Sequence, residues 1–392
     1  MKLRYLTAGE SHGPALCGIL EGLPAGIRIE PSDFVTLLHR RRAGYGRGAR
    51  ARIENDEVEI LSGIIGGLTT GSPVALTIRN RDFEKHAAYM HPFAANVEAG
   101  RITVPLPGHA DLAGISRYGL DDCRPVRERA SARETAMRVA LSVPPRNLLK
   151  QLGIRSTCFV ESLGGSRAAV DYAASPEIIA AAVEQNGEEF LTPDSAVIKS
   201  WRELTDGCAA ENRSIGGTGA VIFWGLPAGL GSHVHYDRRL DGILAGLVMS
   251  IPAVRGVEVG MALELAQSNL PAADPIVAVG SQTSRASNHA AGLEGGMTNG
   301  QPLIIRFHMK PLPANAGVDS VDLKTGQAAD PAFYRSDVHA VAAAAVVAES
   351  VIAIQLASEI LSLCGCENMC ELERRIKRSE ERRVGKECRS RW

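Results

Sequence analysis

The stretch from Val341 to Leu361, VAAAAVVAESVIAIQLASEIL, decides how this chain folds. It is long and apolar enough to suggest a membrane span, but Glu349, Ser350, Gln355 and Glu359 interrupt it at helical spacing. A buried helix of a globular core fits that pattern, with flanks that carry it over Asp337–Leu363. Working outward, helical periodicity also covers Ser32–Arg42, Ser131–Gln151, Pro176–Gln185 and Arg238–Ser250. Short strands are predicted at Leu3–Ala8, Val58–Leu61, Val74–Ile78, Thr157–Leu163, Gly219–Trp224, Val257–Gly260 and Leu303–Met309. Strands and helices mix without alternating at βαβ spacing, so the fold class is α+β rather than a doubly wound sheet.

With 45% hydrophobic and 22% charged residues, the chain can bury a substantial core. Its formal net charge of -1 excludes a global field that would draw in nucleic acid or a membrane, so anions must be met by local basic clusters. The opening MKLRYLTAGESHG has too short an apolar run for a signal peptide, and a cytoplasmic location is expected. The cysteines are scattered, as reduced thiols would be. Cys364, Cys366 and Cys370 stand in a C-x-C-x3-C spacing without a following histidine, which does not match a structural zinc site, and no metal is expected. The last fifteen residues, RSEERRVGKECRSRW from Arg378, read as an in-frame translation of a sequencing adapter. That leaves residues 1–377 as a single domain.

Six segments could carry chemistry. Gly9-Glu10-Ser11-His12-Gly13 sets a histidine on a glycine-flanked turn after a strand, suited to proton donation near neutral pH. Taken alone, a structural histidine is the commoner reading. Six arginines fall between Arg40 and Arg52, with no acid before Glu54 and with glycines at 44, 46 and 48. Such a loop could wrap an anion with paired guanidinium forks; RNA is the rival ligand. Pro107-Gly108-His109-Ala110-Asp111 holds a second histidine on a turn. In Arg127-Glu128-Arg129-Ala130-Ser131-Ala132-Arg133-Glu134-Thr135, Ser131 and Glu134 form a capping-box pattern, and the flanking Arg129 and Arg133 suit a phosphate at a helix start. Glycine-rich Gly292–Gly300 precedes a strand that ends in Lys310-Pro311-Leu312-Pro313. Asp337, after Arg335 and Ser336, is either a helix N-cap or a base.

Together and in this order the six segments resemble the chorismate synthase family: GESHG, RxSARET and RSD look like its signatures, with PGHAD, EGGMTNGQP and KP-x-P between them. The similarity runs from about Leu3 to Leu363. It implies a single-domain β-α-β sandwich with long helices between antiparallel sheets, assembled as a homotetramer. The implied reaction is the anti-1,4-elimination of phosphate from 5-enolpyruvylshikimate 3-phosphate, which gives chorismate and requires reduced FMN.

By the same resemblance His12 protonates the departing phosphate, His109 stands beside the reduced flavin, and Asp337 helps take up the substrate's proton. Flavin contacts carry over to Arg129, Ala130, Ser131, Ala253, Gly295, Lys310, Pro311, Leu312, Pro313, Ala314 and Arg335. Arg41, Arg47, Arg50 and Arg133 are the expected contacts to substrate or NADP. Leu106, where the family usually has arginine, and Pro252, where a polar residue is common, depart from the pattern. Three other readings remain open from sequence: a flavin reductase or oxidoreductase, an RNA- or anion-binding module built on the arginine loop, and an inactive relative that keeps the fold but has lost turnover through Leu106 or Pro252.

Overall fold

The computed structural model describes residues 2–48, 53–269, 273–280, 282–313, 318–331 and 337–385. Arg50, Ala314 and Arg335, all expected site residues, lie outside the described residues, as do 386–392 of the C-terminal run.

The N-terminal half opens with strands β1 (Arg4–Ala8) and β2 (Ala15–Glu21), then helix α1 (Pro31–Arg42). Strands β3 (Val58–Ser62) and β4 (Val74–Arg79) follow. Next come helices α2 (Phe83–Met90), α3 (Asp111–Tyr118), α4 (Arg124–Arg129), α5 (Thr135–Leu141) and α6 (Val143–Gln151). After them lie β5 (Arg155–Leu163), β6 (Ser166–Arg167), α7 (Pro176–Asn186), α8 (Ile198–Ala210), β7 (Gly217–Trp224) and α9 (Leu240–Met249). The chain continues through β8 (Val254–Val259), β9 (Leu303–Met309), α10 (Val341–Cys364) and α11 (Met369–Gly385).

Two larger antiparallel sheets result, in the orders β1-β2-β4-β3 and β8-β9-β7-β5-β6, beside four two-stranded ribbons among the described residues. Their sequences show why they differ. In β2 and β4 burial alternates, with Leu16, Leu20, Val74, Leu76 and Ile78 turned inward. That is the pattern of a sheet with one covered face. Strands β5, β7 and β9 are buried on both faces over most of their length, including polar residues such as Glu161 and Arg306, which pair with each other. Helix α5 packs on β2 and β4, and α10 packs on β5, β7 and the helices α1, α5, α6 and α9. Ala343, Ala344 and Ala345 keep the α10 surface narrow enough for that many close neighbours.

The stretch read first from sequence is therefore the central core element, and the helix–sheet mixture is α+β as expected. One charged group in α10 is fully buried. Glu349 accepts a hydrogen bond from Ser156 Oγ at 2.7 Å and pairs with Arg146 at 3.1 Å and Arg40 at 3.4 Å. Burial opposes its charge, but the two guanidiniums and Ser156 outweigh it and hold the carboxyl at a pKa of about 2.

Three expectations about helices need correction. The helix expected over Ser131–Gln151 is a 3-10 turn at Ala132–Glu134, then α5 and α6, joined at Ser142. Pro144 and Pro145 cannot donate back into the preceding turn, so they start a new helix instead. Ser131 Oγ accepts from Arg133 N at 3.3 Å, while Glu134 turns to Arg138 and Thr7, so the reciprocal capping box does not form. Helix α10 begins at Val341 after Ala340, and Asp337 is not its cap. Helix α11 closes the described chain, running from Met369 across position 378 to Gly385.

Candidate active site

His12 lies on the turn between β1 and β2. Gly9 makes that turn possible: its φ is +108°, and a Cβ there would lie 2.4 Å from Ala15 O. The His12 ring is then fixed from behind by α4. Glu128 is buried, receives the His12 backbone N–H at 2.9 Å and faces His12 Nδ1 at 2.8 Å. Burial alone would raise the Glu128 carboxyl, yet its bonds to His12 and the charge of Arg124 at 3.1 Å hold it below its usual range. The opposite ring nitrogen, Nε2, faces Asp82 Oδ2 at 3.8 Å. His86 of α2 lies against His12 with ring centroids 4.3 Å apart, and its basicity is lowered by burial and by the His12 charge.

His109 is built by the same logic. Its Nδ1 faces Asp111 Oδ1 at 2.7 Å, and Asp111 is fully buried. The other Asp111 oxygen accepts from Leu106 N and Arg127 Nε, both at 2.9 Å. Although burial opposes its charge, these bonds keep the Asp111 carboxyl below its usual range. A carboxylate at Nδ1 selects the tautomer and leaves Nε2 to do the work.

Lys310 Nζ donates to Gly108 O at 3.2 Å, so the PGHAD turn and the start of the Lys310–Pro313 segment are neighbours. Lys310 N donates to Ala253 O at 3.0 Å, and Ala253 sits in the left-handed region at φ 68°. Arg138 Nη1 reaches Ser250 Oγ at 2.7 Å, which ties the segment before Ala253 to α5. Arg129 donates to Thr7 O at 2.9 Å and Gly9 O at 3.3 Å, next to the His12 turn. Ala130 and Ser131 follow it directly. Ser214 Oγ donates to Leu312 O at 2.8 Å, and Ile215 N donates to Val338 O at 2.7 Å. Asp337 thereby joins the same neighbourhood. It pairs with Arg47 Nη1 at 2.7 Å and accepts from Gly48 N at 2.6 Å.

Gly295 is the exception. It lies in the hairpin Leu293–Thr298 beside Gly296, whose carbonyl accepts from Leu240 N at the start of α9. Ala253 follows the far end of that ten-residue helix, roughly 15 Å along its axis. Within one chain Gly295 is not brought to the other expected flavin contacts.

The arginine cluster is more committed to the fold than its sequence suggests. Arg41 is buried and donates to Thr135 Oγ1 at 2.9 Å and Ala132 O at 2.8 Å; burial lowers its pKa to about 10. Arg42 binds the Glu54 carbonyl and faces Asp56, and Arg133 binds Asp56 and Asn80 Oδ1. Arg40 points to Glu349. Of the described members, Arg47 is the one paired with an expected catalytic residue.

Sequence reasoning missed Glu128, Asp82, His86 and His339. Glu128 lies in the Arg127–Thr135 segment, directly before Arg129, and could have been found there as a carboxylate among arginines. His339 is buried against Phe190 with both ring nitrogens unpartnered, and burial together with the Arg47 charge lowers its pKa to about 4. Nothing in its local sequence marks that environment.

The chorismate synthase family model matches residues 3–361. The chain belongs to the chorismate synthase family. The family's enzymes are lyases acting on a phosphate-bearing substrate in the shikimate route to aromatic amino acids, and this chain is one of them. It is 46% identical to the chorismate synthase of Desulforudis audaxviator over 376 residues, covering 94% of this chain and 95% of that one. It is 43% identical to that of Chlorobaculum tepidum over 385 residues, covering 95% and 96%. A solved structure titled "Crystal Structure of Chorismate Synthase" superposes with a TM-score of 0.79 at 35% identity, covering 97% of this chain and 98% of that one.

Proposed function

We propose that the chain converts 5-enolpyruvylshikimate 3-phosphate to chorismate by anti-1,4-elimination of phosphate, with His12, His109 and Asp337 as its catalytic residues. The observation that carries the reading is the linkage of the motif segments. The segments that carry His12, Arg129, Ala253, Lys310 and Asp337, distant in sequence, are linked by hydrogen bonds made by these residues or their chain neighbours.

The residues present fit reduced FMN. Lys310 supplies a cation for an anionic group, and Arg129 borders the His12 turn. Arg129, Ala130, Ser131, Ala253 and Lys310–Pro313 would hold the cofactor, with Ala314 and Arg335 completing the set. Gly295 would have to come from another subunit or serve the hairpin alone. Reduced FMN, when bound, supplies the chemistry for breaking an unactivated C–H bond. His12 delivers a proton from Nε2 to the leaving phosphate while Glu128 holds Nδ1. Neutralising that developing charge is worth roughly a hundred- to ten-thousandfold in rate. His109, held at Nδ1 by Asp111, would present Nε2 to the reduced ring. Asp337 is the carboxylate assigned to the substrate's proton. Arg47 and Arg50 contact substrate or NADP, whereas Arg41 and Arg133 act from behind, by holding the Ala132–Thr135 turn and Asp56.

A β-α-β sandwich is supported by α5 lying on one sheet and α10 on the other. A homotetramer is supported by the outer face of β1 and β2, where Leu6 is 71% and Ile19 51% exposed. A cytoplasmic location fits the free thiols at Cys17, Cys123, Cys158, Cys208, Cys364, Cys366 and Cys370. Helix α10 is long and apolar enough to cross a bilayer, but 94% of its most apolar window is buried in the protein, which argues against a membrane partner. The internal pairing of Arg40, Arg41 and Arg42 argues against a nucleic-acid surface. Residues 1–377 form the catalytic domain, and the run from Arg378 is foreign to it.

The test is anaerobic assay of chorismate and phosphate with chemically reduced FMN. Equimolar products that vanish when FMN is omitted are expected; flavin binding without phosphate release would overturn the reading.

A further inference from the structure

At the mouth of the His12 turn, His12 meets the i,i+4 pair Asp82 and His86 at the start of α2. His12 Nε2 lies 3.8 Å and His86 Nε2 3.5 Å from the same oxygen, Asp82 Oδ2. All three candidate ligand atoms fall within 4.8 Å of one another. A tetrahedral zinc ion with bonds near 2.0–2.1 Å needs ligand atoms about 3.3 Å apart, so both measured nitrogen–oxygen separations are within about half an ångström of a coordination polyhedron. The second layer is also in place. His12 Nδ1 faces the Glu128 carboxylate and His86 Nδ1 faces the Tyr89 hydroxyl, so each imidazole is held from its far nitrogen with Nε2 turned inward. Histidines that ligate metals are oriented in this way. The other Asp82 oxygen is held by Lys85 Nζ at 2.6 Å, and Arg124 neutralises Glu128. With its carboxylates so neutralised, the cluster disfavours calcium or magnesium, which depend on several charged oxygens, and leaves a site defined by two imidazoles.

We infer that His12, Asp82 and His86 form a two-histidine, one-carboxylate site for a borderline divalent transition-metal ion such as Zn2+, and that its occupation takes the His12 Nε2 lone pair and blocks turnover. The ion is an inhibitory ligand rather than a cofactor of the elimination: it binds where a proton must sit, so proton and metal compete for one atom. The second half of this inference rests on the proposed role of His12; the site itself does not.

The experiment uses the flavin-free full chain titrated with Co2+, read by visible ligand-field absorption, alongside equilibrium dialysis with Zn2+. One ion per chain is expected, without near-ultraviolet thiolate-to-cobalt charge transfer. His86→Ala and Asp82→Asn should each weaken binding at least tenfold, with circular dichroism verifying their folds. Tyr89→Phe should weaken it less. Absence of ligand-field bands, bands unchanged in both ligand variants, or bands with thiolate character lost on Cys366→Ser would each overturn the site. Zn2+ should also stop phosphate release in the FMN assay, reversibly with EDTA; stoichiometric binding that leaves turnover untouched would overturn the blocking role. A chain with no turnover even without metal would defeat the lyase reading instead, while the cobalt spectrum still decides the site.

Discussion

Replacing Glu349 by glutamine should destabilise the protein by about 3 kcal/mol at neutral pH. The figure follows from the carboxyl's environment. Glu349 is fully buried in α10 between Arg40, Arg146 and Ser156, and its pKa falls from an ordinary 4.5 to about 2. At about 1.4 kcal/mol per unit, that depression corresponds to roughly 3 kcal/mol of folding free energy. The range measured when one partner of a buried ion pair is removed, about 3–5 kcal/mol, is consistent with it. Because the folded-state pKa is the lower one, the contribution is fully present above pH 4.5 and disappears as pH falls towards 2. Urea unfolding of wild type and Glu349→Gln at one fixed protein concentration, repeated at several pH values, checks both magnitude and sign. The gap between the two proteins should be widest at pH 7 and should narrow steadily below pH 4.5. A gap under about 1 kcal/mol at pH 7, or one that keeps its full size down to pH 2.5, would refute the argument.

Three further outcomes follow from the site and the sheets. His12→Ala and His109→Ala should each retain the fold while turnover falls at least about tenfold, as single-turnover phosphate release would register; unchanged rates would remove both from the mechanism. Asp337→Asn should slow the chemical step yet leave flavin affinity within about threefold, measured by fluorescence quenching, because Gly48 N can still be accepted by the amide oxygen. Loss of flavin binding would instead make Asp337 a structural residue. Gly219→Ala should cost about 1–3 kcal/mol in urea unfolding, since the new Cβ would stand 2.3 Å from the Phe307 ring on the adjoining strand.

How much of this was legible in the sequence depends on how far away each cause lies. Strand Leu303–Met309 was read at its observed bounds because burial on both faces leaves a largely apolar run, broken only by Arg306 and His308. Strand Ala15–Glu21 was missed. Its centre is Gly18, a poor strand former chosen because Met137 and Leu141 press within 2.7 Å of where its Cβ would be. The reason for that glycine lies about 120 residues downstream. Helix Asp111–Tyr118 was also missed, although Gly119, at φ 64° beyond its last turn, is a local stop signal. The break before Pro144 was equally available to a local reading.

The arginines set a firmer limit. Six of them in thirteen positions announce that anions are near, but a guanidinium fork says nothing about which anion it will meet. Arg40 meets Glu349 across 309 positions, and Arg47 meets Asp337 across 290. Arg42 and Arg133 meet at Asp56, a buried residue held at φ 52°. The cluster therefore divides by depth. Arg40, Arg41 and Arg42 brace the walls, and Arg47 sits at the boundary, where its partner is also the carboxylate proposed for catalysis. A substitution at Arg47 should thus disturb chemistry first, and one at Arg41 stability first. Lysine in place of Arg41 would keep the charge but could not bond Thr135 and Ala132 through one planar group, so conservation of charge alone would not preserve the site.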